Sequence, residues 1–271
     1  IFDLSQDGQQ PMYSKDKRFV ITFNGEIYNF LELRSLLQTG GYRFYSKTDT
    51  EVLIAAWQKW GIGCVHRLKG MFSFVIFDQL QNCMYCVRDA FGIKPFFYSF
   101  ENCELKFSSE IQGLLELMHV KPEPNWSVAL SYLALGEVDK YEETFYSGIK
   151  HLPPGHYLKL YLQPEANLEI QRWWNPPIEE NKRITFSEAS EVIREKFLEN
   201  VRLHLRSDVP VGAALSGGID SSAVVCAMRY LNPEMPINTF SFISPKFSKN
   251  EEKWVNIVND HTQAISHKIY I

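Results

Sequence analysis

The chain has 271 residues, 45% hydrophobic and 22% charged, with a formal net charge of −4. These are globular values, and the length suits two domains of about 150 residues each. The mild acidity and the lack of a long Lys/Arg run argue against nucleic acid or a membrane surface as partner. Apolar runs such as residues 71–77 are far too short to span a bilayer, and no secretory signal opens the chain. Five unevenly spaced cysteines without an export signal are expected to be reduced thiols of a cytoplasmic protein. Ile1-Phe2-Asp3-Leu4 reads as the middle of a strand with no initiator Met, so the chain reads as a fragment.

In the first half, residues 19–23 predict a strand that stops at Asn24-Gly25-Glu26. Asn29 is placed to cap a helix over 31–38 with Leu33, Leu36 and Leu37 inward, ended by Gly40-Gly41. Thr48-Asp49-Thr50-Glu51 reads as a capping box opening a second helix that stops at Gly61. Residues 71–78 and 82–88 form an expected hairpin, its first arm apolar on both faces and so buried between layers. Cys83 and Cys86 lie in its second arm, on opposite faces of a strand, which suits neither zinc nor a redox pair. A second hairpin is expected over 96–98 and 105–107. Hairpins mixed with short helices give an α+β class: an antiparallel-sheet sandwich flanked by helices.

Residues 175–184, with prolines and a charge run, are the expected linker between domains at 1–174 and 185–271. Ser187 is placed to cap a long helix to about Leu205, with Ala189, Val192, Ile193, Phe197, Val201 and Leu205 on its buried stripe. Residues 210–215 then read as a buried strand, 216–222 as a glycine turn, and 223–231 as a packed helix. That geometry aims backbone N–H groups and the helix dipole at one point, where a polyphosphate would sit. Gly217 and Gly218 allow close approach, Ser216, Ser221 and Ser222 add hydroxyls, and Asp220 is a candidate Mg²⁺ ligand. No Gly-Lys-Ser/Thr follows, so this is not a Walker A loop; a plain Gly-Gly turn is the alternative. A strand over 237–243, a helix over 251–260 and a strand from His267 make this the start of a doubly wound parallel α/β domain.

Leu215-Ser216-Gly217-Gly218-Ile219-Asp220-Ser221-Ser222 resembles the pyrophosphate-binding loop of ATP pyrophosphatases, which split ATP between its α- and β-phosphates. Asn24-Gly25-Glu26-Ile27-Tyr28-Asn29, Thr48-Asp49-Thr50-Glu51-Val52-Leu53, Arg88-Asp89-Ala90-Phe91-Gly92-Ile93-Lys94-Pro95, Phe107-Ser108-Ser109-Glu110-Ile111 and Leu152-Pro153-Pro154-Gly155-His156-Tyr157 resemble the glutaminase domain of asparagine synthetases. That family uses an N-terminal cysteine as nucleophile. The resemblance implies an oxyanion hole from the Asn24 side chain and the Gly25 N–H. It implies glutamine binding by Glu26 and Asp49, with Ile1 and Phe2 at the tail of a segment whose Arg would lie upstream. Leu215 and Phe242 would contact adenosine.

Residue 1 is Ile, so the nucleophile is expected upstream of this chain. Ala90 stands where the family usually has Arg, and Phe242 and Ile243 replace a small aliphatic and a Gly. The resemblance implies asparagine synthesis from aspartate through a β-aspartyl-AMP intermediate, with ammonia from glutamine, ATP and Mg²⁺ as cofactors, and a homodimer left open. Two rivals remain: an amidotransferase acting on a β-lactam, sugar or peptide acceptor, and an inactive relative serving as a binding or storage protein.

Overall fold

The computed structural model describes residues 2–3, 5–118, 120–137, 142–163, 167–176, 178–180, 183–244 and 251–270. It divides into two compact units, Asp3–Ile178 and Glu179–Ile271, with Phe2 grouped in the second. The first unit opens with β1 (Met12–Tyr13), β2 (Phe19–Ile27), α1 (Phe30–Thr39) and α2 (Asp49–Trp60). The hairpins β3 (Gly70–Asp78)–β4 (Cys83–Arg88) and β5 (Phe97–Glu101)–β6 (Glu104–Ser108) follow. Then come α3 (Ile111–Leu117), α4 (Trp126–Leu135), β7 (Lys150–His151), β8 (His156–Tyr161) and β9 (Leu168–Arg172). Strands order as β1-β2-β3-β4-β8-β9 in one sheet and β6-β5-β7 in another, every neighbouring pair antiparallel.

The alternation along β3 explains the layering. Val75 joins Cys86, Phe96, Tyr98, Leu152, Leu158 and Leu160 in a core between the sheets, where Phe96 stacks on Phe107 at 5.8 Å. Phe74 points the other way, to Trp57 of α2, with ring centroids 6.1 Å apart. Trp57 also meets Tyr85 of β4 edge-on at 5.0 Å. Both faces of β3 are thus covered, as its unbroken apolar run requires. Residues 49–57 of α2 are buried without a break, so this helix is a core layer in its own right.

Several local expectations change. Glu51 is the capping-box acid by spacing, but its carboxylate accepts from the N–H groups of Tyr45 and Ser46, folding the preceding loop instead of closing the box. Thr48 does cap, accepting from Glu51 N–H at 3.0 Å. Asn29 sits at the start of α1 without capping it: its Nδ2 donates to Arg67 O and its Oδ1 accepts from Lys69 N–H. Leu36 is exposed, and Phe30 takes its place in the buried stripe with Leu33 and Leu37. Cys83 and Cys86 are both buried, which pushes their thiols up. Among the described residues, no cluster of His, Cys, Asp or Glu is placed to hold a metal.

The second unit runs α5 (Phe186–His204), β10 (Gly212–Ala214), α6 (Ile219–Leu231), β11 (Asn238–Ile243), α7 (Glu252–Thr262) and β12 (Ile265–Tyr270). Its three strands are parallel in the order β10-β11-β12. Thr185, not Ser187, caps α5, in a reciprocal box with Glu188. The first half of α5 is exposed, including Val192 and Ile193, and packing begins at Phe197. Along β11, Thr239, Ser241 and Ile243 are buried while Phe240 and Phe242 are 48% and 71% exposed. The helices seen therefore cover one face of this sheet. No helix among the described residues is long and apolar enough to cross a membrane.

Because Trp57 bridges α2 to two strands, Trp57→Ala should open a cavity and cost the first unit about 3–5 kcal/mol. Urea unfolding followed by far-ultraviolet circular dichroism would show that loss as a lowered midpoint with an unchanged slope.

Candidate active site and nucleotide loop

β2 does not stop at Asn24. It runs on to Ile27, and Asn24, Gly25 and Glu26 stay paired with Ser73, Phe72 and Met71 of β3. Asn-Gly is a turn dipeptide by composition, yet here the glycine serves close strand approach. Gly25 has a φ of +153°, and a Cβ on it would lie 2.1 Å from the Met71 carbonyl oxygen. Only glycine fits. The Asn24 side chain is held as well, its Nδ2 donating to Ser109 Oγ at 2.9 Å across from the other sheet. A cavity of about 340 Å³ opens here, lined by Asn24, Ser73, Phe96, Ser109 and neighbouring side chains.

Asp49 is the first residue of α2 and is 5% exposed. Its Oδ2 accepts from Ile27 N–H at 2.8 Å, which ties the helix start to the end of β2, one residue beyond Glu26. Burial raises its pKa to about 6, with the nearby Glu26 charge adding to the rise and the Ile27 hydrogen bond opposing it. Asp49 is thus a desolvated carboxylate with the charge of Glu26 nearby. The structure thus gathers Asn24, Gly25, Glu26 and Asp49 around one strand end. Phe2 is buried, next to Asp3, whose Oδ2 accepts from Lys47 N–H at 2.8 Å, and Ile1 lies outside the described residues.

Behind this strand lies a clamp that spacing alone did not expose. Asp89 is 1% exposed. Its Oδ1 accepts from Phe91 and Ile93 N–H, and its Oδ2 from Lys94 and Phe72 N–H, at 2.9–3.2 Å. Phe72 is the residue paired with Gly25. Arg88 closes the same loop by donating to the carbonyls of Lys94, Gly92 and Leu152. Trp173 then donates from Nε1 to Arg88 O and stacks on Phe72 at 6.2 Å. A buried acid two residues before a run of loop amides, with Gly92 at φ +66°, is the signal that could have found it. Ala90 belongs to this loop, whose hydrogen bonds are complete without an arginine there.

In the second unit, the glycine turn is closed by its own hydroxyls. Ser216 N–H donates to Ser221 Oγ at 3.3 Å, Gly218 N–H to Ser216 Oγ at 3.3 Å, and Ser221 Oγ to Gly218 O at 3.2 Å. Gly217 has φ +81°, and a Cβ there would stand 2.7 Å from Trp254 Cβ of α7. Its glycine is thus required by the packing of α7 as well as by the turn. Gly218 occupies the N-cap of α6, and Asp220 stands exposed in the first turn, near Ser222, whose N–H donates to Gly218 O at 3.0 Å. Leu215 is a core residue; its N–H donates to Phe240 O, and its C=O accepts from Ser241 Oγ at 2.6 Å. Phe242 projects from the uncovered sheet face.

The raised Asp49 pKa fixes the sign of a pH effect. An acid raised from 3.8 to about 6 costs nothing below the lower value, loses stability for the fold as pH climbs through the window, and costs most at neutral pH. Asp49→Asn keeps an acceptor for Ile27 N–H and removes the charge. It should stabilise the first unit at pH 7 by on the order of 2–3 kcal/mol and give little gain at pH 4. Urea midpoints of both proteins across that range would test this, and an equal gain at both ends would contradict it.

Residues 1–174 match the family model described as a glutamine amidotransferase domain, and residues 192–271 match that described as asparagine synthase. Glutamine-hydrolyzing asparagine synthetase 2 of Bacillus subtilis is 36% identical over 254 residues, covering 91% of this chain and 33% of that protein. Glutamine-hydrolyzing asparagine synthetase 3 of the same organism is 32% identical over 281 residues, covering 98% of this chain and 45% of that protein. Amidase chry2 of Gibberella zeae is 32% identical over 234 residues, covering 85% of this chain and 34% of that protein. The chain spans about a third to a half of the length of these relatives. With its strand-borne Asn24-Gly25-Glu26 and buried Asp49, the chain belongs to the glutamine amidotransferase domain family, continued in the same polypeptide by a segment that matches asparagine synthase.

Proposed function

We propose that this chain is the glutaminase domain, residues 1–174, and part of the ATP-using domain, residues 185–271, of a glutamine-dependent asparagine synthetase, with 175–184 as the linker. The observation that carries this reading is the Asn24–Gly25 pair locked in β2 beside the two carboxylates Glu26 and Asp49. A thiol attacking the glutamine side-chain amide would drive its carbonyl oxygen to an oxyanion. The Asn24 Nδ2 and the Gly25 N–H are the donors for it, already fixed and so needing no reorganisation. Glu26 and Asp49 would hold the substrate ammonium, which also relieves the desolvated charge of Asp49.

Burial pushes the thiols of Cys64, Cys83 and Cys86 up, the reverse of what a nucleophile needs. Cys103 sits at the β5–β6 turn, at the far end of β6 from Ser109. The nucleophile in this reading is none of these.

On the second unit, ATP would be the substrate whose pyrophosphate settles against the 216–222 turn and the start of α6. Cleavage between its α- and β-phosphates would adenylate the β-carboxylate of aspartate, and ammonia from glutamine would then displace AMP. Asp220 is a single exposed carboxylate in the first turn, which suits Mg²⁺, an ion that commonly takes one or two carboxylates and completes its shell with phosphate and water. Mg²⁺ bound there would neutralise phosphate charge. Adenine contact is assigned to Phe242, with Leu215 acting through its place in the core. The reading also expects a cytoplasmic enzyme.

In the full-length protein, Asn24→Ala should lower glutamine-dependent synthesis by on the order of 100- to 1000-fold and leave ammonia-dependent synthesis nearly intact. Equal loss of both activities would show that Asn24 supports the fold and not the chemistry. Asp220→Ala should abolish AMP formation while sparing glutaminase activity, resolved by anion-exchange chromatography of nucleotides with aspartate and ammonia supplied. ADP as the main product, or unchanged AMP, would sink the pyrophosphatase assignment.

A further inference from the structure

The oxyanion donor of the proposed site is a primary amide, and an amide can flip. Asn24 carries an oxygen and an NH₂ of nearly equal shape, so one rotamer of its terminal torsion presents a donor to the cavity and the flipped one an acceptor. An acceptor facing a developing oxyanion would repel it. Donation to an oxyanion also requires the amide to be held in one plane at the cavity wall.

The contact that holds it is on the other sheet. Asn24 Nδ2 donates to Ser109 Oγ at 2.9 Å, over a sequence separation of 85 residues. Ser109 follows directly on β6, the strand that ends at Ser108. The two serines are divided in their work. Ser108 Oγ accepts from Glu110 N–H at 3.2 Å, next to the start of α3. Ser109 is thereby the hydroxyl turned to Asn24, and both side chains line the same cavity. One N–H of the Asn24 amide is spent on Ser109, which fixes the amide plane and leaves the second N–H in that plane for a ligand.

We propose that Ser109 is a positioning residue for glutamine hydrolysis: its hydroxyl holds the Asn24 side chain and the plane of its amide at the oxyanion position. This rests on the glutaminase reading above. In this proposal the effect of Ser109 passes through Asn24, the side chain it bonds. Loss of one hydrogen bond of this kind frees the amide to leave that plane, and corresponds to a rate effect on the order of tenfold.

The test is a double-mutant cycle in the full-length protein, with Ser109→Ala, Ser109→Thr, Asn24→Ala and the Asn24→Ala/Ser109→Ala pair. Initial rates of glutamine hydrolysis and of ammonia-dependent synthesis are measured for each. Ser109→Ala should lower kcat for glutamine about tenfold with KM nearly unchanged and ammonia-dependent synthesis intact. Ser109→Thr, which retains the hydroxyl, should restore kcat. In the Asn24→Ala background, Ser109→Ala should cost nothing further, because the side chain it positions is gone. An unchanged kcat in Ser109→Ala, no recovery in Ser109→Thr, or an additive loss in the double variant would each overturn the proposal. If Asn24→Ala itself kept full glutaminase activity, the glutaminase assignment would fall first, a result distinct from any of those three.

Discussion

Everything around the proposed glutaminase site depends on β2 and β3 running closer together than side chains allow. At Gly25 a Cβ would sit 2.1 Å from Met71 O, and at Gly70 a Cβ would sit 2.2 Å from Glu26 O. The two glycines face the same ladder from opposite strands. Their missing side chains keep nine residues of β2 paired to the end. Asn24 and Glu26 therefore project from a ladder with a fixed register, and not from a loop. A strand gives a donor group far less freedom than a turn does, which is what a preorganised oxyanion site needs.

The constraint is held from behind by charge buried for purely geometric ends. Asp89 has four backbone N–H groups as partners, one of them from the strand residue opposite Gly25. Four such donors occupy the acceptor sites of both carboxylate oxygens. Asp49 is the contrast: it is nearly as buried but has fewer donors, and its pKa rises to about 6. One acid fills its acceptor sites with loop and strand amides, and the other is desolvated beside a second carboxylate. In the proposed reading, that difference separates a structural carboxylate from one that meets a ligand.

Much of this is legible in the sequence. The hairpins over 70–88 and 97–108, the helix after Thr48 and the strand–turn–helix around Gly217 all follow from period, caps and breakers. The departures share one cause: tertiary contacts redirect a locally plausible group. Asn29 has the cap position but bonds to residues 67 and 69. Glu51 has the box spacing but serves Tyr45 and Ser46. Asn24-Gly25 has turn composition but lies in a strand, because the cost of a Cβ there is set by β3, 47 residues away in sequence at Phe72. Ser109 belongs to a recognisable stretch, yet its partner lies on another sheet, which no local pattern encodes. The first half of α5 is a different case: its apolar period is real, but its residues are exposed in the structure.

The end of the first unit carries a consequence for how this polypeptide can be divided. Trp173 and Trp174 follow the last strand, where a cut between domains would look harmless by secondary structure alone. Yet Trp173 bonds to Arg88 O and stacks on Phe72, and the N–H groups of both tryptophans donate to Gly155 O. Trp174 also meets Phe91 at 4.9 Å. These two residues act as a latch across the back of the loop that braces Gly25. A recombinant boundary drawn at Arg172 would remove the latch while leaving every strand and helix in place. Such a protein would look folded by circular dichroism and still have a loosened site, so a minimal glutaminase domain has to extend past Trp174.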